Sequence, residues 1–351
     1  MAYDIFQPES LMKSVSVLPT PSTFFRDTFF KTRNTHETTK VRVDFYKGKR
    51  RVAPFVSEVL PSGVTKKLGY VTEDFETPLV SVKDVTNIGD IMKRGFGEKV
   101  YGGVTPQERG TKELLRTMND YNEQITRREE LSCAQAMLDG KITVKGEGVN
   151  YEIDFGFSNK GTVTSLWDDA NSTADPVKDI KAMASECKKN GYRKPNICVM
   201  ERSAYDAFIE RCTKLGYLDN QYFLNLNIAP KVIDDAVTYC GYIRDLDLEF
   251  YVYEEWYLDD WTDPENPVEK SVMPKGKLLL ASTNVGFSIE YGVLTFVNEE
   301  TKEFYSVVGE RAADSWVNKN PDRRYLSLSS RPLPAPTEVD SWYVGTVAAT
   351  E

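Results

Sequence analysis

His36 is the only histidine in the 351 residues, and a single imidazole limits the available chemistry at once. A Ser-His-Asp or Cys-His mechanism would need His36 as its base, and a metal site built from several imidazoles cannot be assembled. It stands in the polar run from Lys31 to Lys40 and reads as a surface-loop residue. Cys133, Cys187, Cys198, Cys212 and Cys240 are odd in number, lack CxxC spacing and are too sparse for a disulfide scaffold, so they read as reduced thiols of a cytosolic kind. Carboxylates remain: residues 245–269 hold ten acids and no Lys or Arg, enough for a metal or an acid–base pair. Abundance alone specifies no site. Asp245, Asp247 and Glu249 alternate with Leu246 and Leu248, the pattern of a half-buried strand with one solvated face. The run Gly97-x4-Gly102-Gly103-Val104 imitates a phosphate loop, but Gly and Val replace the required Lys and Ser or Thr. It reads as a flexible loop leading into a helix. No catalytic residue, cofactor or metal site is therefore expected.

Length and charge bound what must carry any function instead. Forty per cent apolar residues over this length suffice for about two cores. The net charge of −9 disfavours general attraction to nucleic acid or anionic membranes. The longest aliphatic run is Leu278 to Ala281, and the start lacks a basic stretch followed by an apolar one, which predicts a soluble, unexported chain. Charge is also asymmetric: residues 1–100 carry sixteen basic and twelve acidic groups, net +4, leaving −13 for the rest. That division suits one subunit's leading segment lying on another's body.

The elements follow from periodicity and punctuation. Residues 1–40 hold Pro8, Pro19 and Pro21 and the pairs Phe24-Phe25 and Phe29-Phe30 without a sustained period, and read as an extended arm bearing aromatics. Val41, Val43 and Phe45 alternate with Arg42 and Asp44, ahead of the basic cluster Lys47, Lys49, Arg50 and Arg51. With a second extended stretch at about 64–82 this makes a long two-stranded excursion, which cannot bury its own apolar face and needs cover. Thr105-Pro106-Gln107-Glu108 is a capping box with proline at the first helical position. Apolar residues from Leu114 to Leu138 and a stop at Gly140 predict a helix of about 33 residues, roughly 50 Å long, with a polar middle and a narrow apolar stripe. A second helix starts at Asp175-Pro176 and ends near Gly191, with Ile180, Met183, Ala184 and Cys187 inward. Strand 196–200 and helix 203–215 follow. Strands are then expected at 238–243, 248–257, 277–281, 286–296, 304–308 and 324–330, with Pro332, Pro334 and Pro336 breaking the last before a strand at 342–347. The alternation predicts an α+β fold.

An arm, a long β excursion, one long polar helix, an α+β body and a late return strand, in that order, resemble the lambda-type major capsid proteins (family E) of tailed bacteriophages. Local stretches are similar too: Phe24-Phe25-Arg26-Asp27-Thr28-Phe29-Phe30, the segment from Asn196 to Met200 through Tyr205 and Phe208, and Ser315-Trp316-Val317 leading to Pro321-Asp322-Arg323 and the 324–330 strand. The resemblance spans nearly the whole chain. It implies the Johnson, or HK-97-like, fold: an N-terminal arm at 1–40, an extended loop at 41–95, a peripheral domain with a spine helix at 96–160, an apical domain at 161–309 and return strands of the peripheral domain at 310–351. It also implies a non-enzymatic subunit of hexamers and pentamers in an icosahedral virion head, assembled in the host cytoplasm as a procapsid and enclosing double-stranded DNA without sequence-specific contact. Implied partners are further copies of the chain, a separate scaffolding protein, a portal and, in some members, a trimeric decoration protein. Candidate intersubunit contacts are Phe24, Phe25, Phe29 and Phe30, and Lys47, Lys49, Arg50 and Arg51, the last four facing acids of the 245–269 stretch. Another phage virion protein, such as a tail or connector subunit, and a carboxylate-dependent cytosolic enzyme stand as alternatives.

Overall fold

Residues 23–45, 71–87, 105–146, 148–169, 172–217, 226–263, 265–298, 302–319 and 322–349 are described by a computed structural model. The basic cluster at 47–51 and the glycines at 97, 102 and 103 lie outside them. Where an extended arm is expected, the chain forms a short helix, α1 (Phe24–Phe29). Six residues are too few for a period to be read, but the four-residue spacing sets Phe25 and Phe29 on one face, and both are buried. Strand β1 (Thr32–Thr35) precedes β2 (Lys40–Phe45), which buries Val41, Val43 and Phe45 as its alternation predicts. β2 pairs antiparallel with β3 (Val71–Glu76). The ribbon finds cover within its own chain, because Phe45 and Phe75 pack on Phe155 at 6.2 and 5.7 Å between ring centroids. The expected second stretch is not one strand. It breaks at the buried Thr77, whose amide and hydroxyl both donate to the Thr39 carbonyl, and continues as β4 (Val80–Asn87) in another sheet.

Helix α2 (Pro106–Leu138) has the predicted 33 residues. The Thr105 hydroxyl accepts from the Glu108 amide, and the Glu108 carboxylate accepts from the Thr105 amide at 2.9 Å. At its far end Gly140 adopts φ +67°, where a Cβ would stand 2.3 Å from that of Phe157, so both conformation and space require glycine.

The chain continues through β5 (Lys141–Gly146), β6 (Val149–Asp154) and β7 (Lys160–Thr162) to α3 (Pro176–Gly191), β8 (Ile197–Met200) and α4 (Arg202–Lys214). Next come β9 (Leu226–Asp234), β10 (Val237–Ile243), β11 (Leu248–Tyr253), β12 (Trp256–Asp259), β13 (Val268–Ser271) and β14 (Lys277–Ala281). The last strands are β15 (Ser288–Tyr291), β16 (Leu294–Val297), β17 (Phe304–Val307), β18 (Ala312–Lys319), β19 (Asp322–Ser330), β20 (Pro332–Ala335) and β21 (Tyr343–Thr346). Helices with mostly antiparallel sheets make the fold α+β, as the sequence predicts.

The main sheet is seven-stranded and mixed, in the order β7-β21-β14-β8-β11-β10-β9. Its faces are both covered, which explains why Leu278 to Ala281 is aliphatic throughout. Cys198, Met200, Leu278 and Leu280 pack with α3 and α4, while Ile197, Val199, Leu279 and Ala281 pack with the second half of α2 and with α1. The first half of α2 lies on the sheet β18-β19-β4, where Met118, Tyr121 and Ile125 meet Ala313, Leu326 and Leu328. Within residues 310–351, β18 and β19 lie on the first half of the long helix, whereas β21 sits between β7 and β14 with Val344 packed among residues of its second half.

Three further expectations are corrected. Asp245 and Asp247 are not strand residues but occupy the turn between β10 and β11, with Asp247 at φ 55°. The stretches 248–257 and 286–296 each bend once and give two strands. β19 ends at Ser330 ahead of the prolines as expected, but Pro332 and Pro334 themselves lie in a strand, β20, the edge of the sheet β1-β15-β20, where alternate prolines leave Leu333 free to donate to the ladder.

Candidate functional site: the anchored helix and the exposed ribbons

Helix α1 is held by a carboxylate pair on α2. Glu130 Oε1 accepts from the amides of Phe24 and Phe25 at 3.1 and 2.8 Å, and Oε2 accepts from the Arg26 amide at 2.9 Å. These are the amides that the first turn of any helix leaves without an internal partner. The Tyr253 hydroxyl donates a fourth bond to Oε1 at 2.9 Å. Burial pushes the Glu130 carboxyl above the usual range, although the Arg26 and Phe25 amides and Tyr253 pull the other way. Burial and Glu130 together drive the Tyr253 hydroxyl far up, keeping it a donor. Beside it, Glu129 Oε2 binds the Arg26 guanidinium at 2.9 Å and that of Arg311 at 3.2 Å, Arg26 and Glu129 being buried and Arg311 partly so. Arg311 also donates to Thr126 Oγ1 at 2.8 Å. The sequence reading missed this clamp. Its signal was present, since positions 126, 130 and 134, and 129, 133 and 137, continue the inward stripe of α2 with carboxylates in place of apolar groups.

The four candidate phenylalanines are placed by this clamp. Phe25, Phe29 and Phe30 are at most 1% exposed and pack in the chain's own core. As the chain stands, they have no area left for a neighbour. Phe24 is half-buried and stacks on Tyr253 at 5.4 Å. Lys47, Lys49, Arg50 and Arg51 lie outside the described residues.

The acidic stretch is dispersed. Asp245 pairs with Lys181 and Asp247 with Lys194, each at 3.2 Å, and Asp259 pairs with Lys270 at 2.6 Å. Among the described residues no group of three or more His, Cys, Asp or Glu is placed to hold a metal ion. His36 is not a free loop residue: its Nε2 lies 2.6 Å from Glu290 Oε2. All five cysteines are buried and free, and burial pushes the Cys187 and Cys212 thiols up to about 12, far from an activated nucleophile.

Apolar surface is left uncovered on two ribbons. In β16–β17, Val297 and Phe304 are cross-strand partners, and Phe304 is 79% exposed. In β12–β13, Trp256 and Leu258 share the outer face and are each more than half exposed. Val232 and Ile233 are exposed on β9, an edge of the seven-stranded sheet. Such surface on two-stranded ribbons and a sheet edge is chemically fit for packing against another chain rather than for turning over a substrate. No helix among the described residues is long and apolar enough to cross a membrane.

Residues 7–347 match the family described as phage major capsid protein E. The chain is 26% identical over 314 residues to the major capsid protein of Escherichia phage lambda, covering 87% of this chain and 88% of that protein. It is equally 26% identical over 319 residues to the major capsid protein of Escherichia phage N15, covering 88% of each. Among solved structures, a prophage capsid protein from E. coli CFT073 superposes with a TM-score of 0.68 at 17% identity, covering 99% of this chain and 100% of that one. The mature capsid of bacteriophage PhiM1 is similar at a TM-score of 0.51 and 7% identity, over 93% and 88%.

Proposed function

Because the chain belongs to the phage major capsid protein E family, its role is structural, and we propose that it builds an icosahedral head as hexamers and pentamers that enclose double-stranded DNA. The fold is HK-97-like. The observation that carries the reading is the match over residues 7–347, nearly the whole chain, together with apolar ribbon surface that the chain does not cover itself. A negative net charge suits a container wall, since a strongly basic lining would hold the packaged polyanion.

In this proposal the chain works by contact and not by catalysis. Its partners are other copies of itself, a separate scaffolding protein, a portal and, on the finished shell, a decoration protein, with DNA touched through no sequence-specific contact. The head assembles in the host cytoplasm. Helix α2 with β4, β18 and β19 forms the peripheral domain, and the seven-stranded sheet with α3 and α4 the apical one. Among the aromatic residues of α1, Phe24 retains the area for a neighbour. The cluster Lys47, Lys49, Arg50 and Arg51 meets acidic groups of an adjacent subunit.

Negative-stain electron microscopy with sedimentation, on the chain expressed alone and with a scaffolding protein, tests the assembly. Shells, tubes or capsomer rings are expected. A compact monomer of 39.9 kDa under every condition would overturn the proposal. Arg50→Ser with Arg51→Ser should make shells more sensitive to salt, and shells of unchanged salt tolerance would remove the charged contact.

A further inference from the structure

A cavity of about 210 Å³ opens where α1, α2, the β9–β10 turn and the β12–β13 ribbon converge. It is smaller than the roughly 300–1,000 Å³ of small-molecule sites, and suits a single side chain. Its walls combine aromatic rings, Phe24, Trp256 and Tyr257, with the carboxylates of Asp235 and Glu255. Neither carboxylate has a hydrogen bond or ion pair with another described residue. Among the described lining residues the only cation is Arg127, which is engaged by Glu123 at 3.2 Å. Burial, helped by Asp234 and Asp235 and opposed by Arg127, pushes the Glu255 carboxyl up. Glu255 is half-buried beside the exposed Asp235, so like charges line the cavity with Arg127 as the opposing influence, and a cation entering it would stabilise both carboxylates. The neighbouring surface already holds a cation in this manner: the Arg128 guanidinium stands 3.9 Å over the Trp261 ring, which stacks on Tyr257.

We propose that this cavity receives a basic side chain from residues 47–51 of a second copy of the chain, its cation set between the Asp235 and Glu255 carboxylates and against the Trp256 ring. The occupant follows from charge complementarity. Lys47, Lys49, Arg50 and Arg51 place four cations in five positions within the net-positive leading part of the chain, and the carboxylates of the cavity come from the net-negative remainder. A second copy is the partner because the proposal rests on the assembly reading above. It adds to that reading the receiving site and the ring that lines it.

The test is a charge exchange in the full chain, read by sedimentation of assembled particles across a salt series and by the unfolding temperature of unassembled subunits. Glu255→Lys alone, and Arg50→Glu with Arg51→Glu, should each lower assembly by at least about tenfold at moderate salt, and the combined variant should recover most of it. Subunit unfolding temperatures should stay unchanged, which marks a contact between chains. Should Lys at position 255 prevent folding, Glu255→Gln keeps the shape and is expected to weaken assembly in the same direction by about threefold. Variants that assemble like the native chain at every salt concentration overturn the proposal, as do losses that add in the combined variant or a lowered unfolding temperature for the Arg50 and Arg51 change. If the native chain itself forms no shells, tubes or rings, both this site and the assembly reading fall; native shells with unaffected variants remove this site alone.

Discussion

Helix α1 and the β16–β17 hairpin are both short, aromatic-bearing pieces that could not stand alone, and the molecule treats them oppositely. The rings of Phe25, Phe29 and Phe30 are buried by the chain's own core, and a carboxylate from α2 receives the first amides of α1. In the hairpin, Leu294 turns inward and is 2% exposed, while Val297 and Phe304, paired across the strands, face outward. An aromatic residue in a marginal element therefore does not mark an intersubunit contact by itself. What decides is whether another part of the same chain supplies the covering face. The β2–β3 ribbon belongs with α1 in this respect, because Phe155 covers it.

The largest effect that would sharpen this contrast is expected at Phe25. Phe25→Ala should cost the unassembled subunit about 3–5 kcal/mol in a denaturant titration, as for a fully buried phenylalanine. An unchanged midpoint would mean that the ring is spent on a neighbour and not on its own core. Glu130→Gln removes the charge that three α1 amides share, and should lower subunit stability by about 1–3 kcal/mol, with faster amide exchange in α1 than in α3. Uniform exchange across both helices would argue that α1 is held by its rings alone.

Asp175 provides a smaller effect with a defined pH window. It caps α3 and accepts from the Tyr217 hydroxyl at 2.6 Å. Burial would raise its carboxyl, but Tyr217 and Lys178 outweigh that and hold it below the usual range. Its contribution is thus present above the unfolded-state value, near 3.9, and is lost as pH falls through the lowered folded value. Asp175→Ala should cost about 1 kcal/mol at pH 7, and the gap between variant and native unfolding temperatures should close towards pH 3. A gap that is constant with pH would show that the carboxylate charge is not involved. Smallest for the subunit is Phe304→Ser, expected to shift its stability by no more than about 0.5 kcal/mol while raising the protein concentration needed for assembly. Loss of subunit stability there, with assembly unchanged, would reverse the assigned roles of the two regions.

Legibility followed the range of the interactions. The capping box at Thr105, the stop at Gly140 and the inward face of α3 depend on neighbours within a few residues, so residue type and spacing were sufficient. The turn at Asp247 was misread because alternation with Leu246 and Leu248 matches a strand, whereas a positive φ that Asp tolerates is not marked by type alone. The Glu129 and Glu130 clamp was not found because its partners, Arg26, Tyr253 and Arg311, lie more than 100 residues away along the chain.

By itself the sequence determined the 33-residue helix, the α+β alternation, the charge asymmetry and the poverty of catalytic groups, all properties of composition or local spacing. Only the tertiary structure decided that Phe25 and Phe29 of α1 belong to the chain's own core, that β21 returns into the seven-stranded sheet between β7 and β14, and that Asp235, Glu255 and Trp256 share one cavity. Burial and juxtaposition are set by which distant faces meet, and one-dimensional periodicity records that a face is apolar but not what covers it.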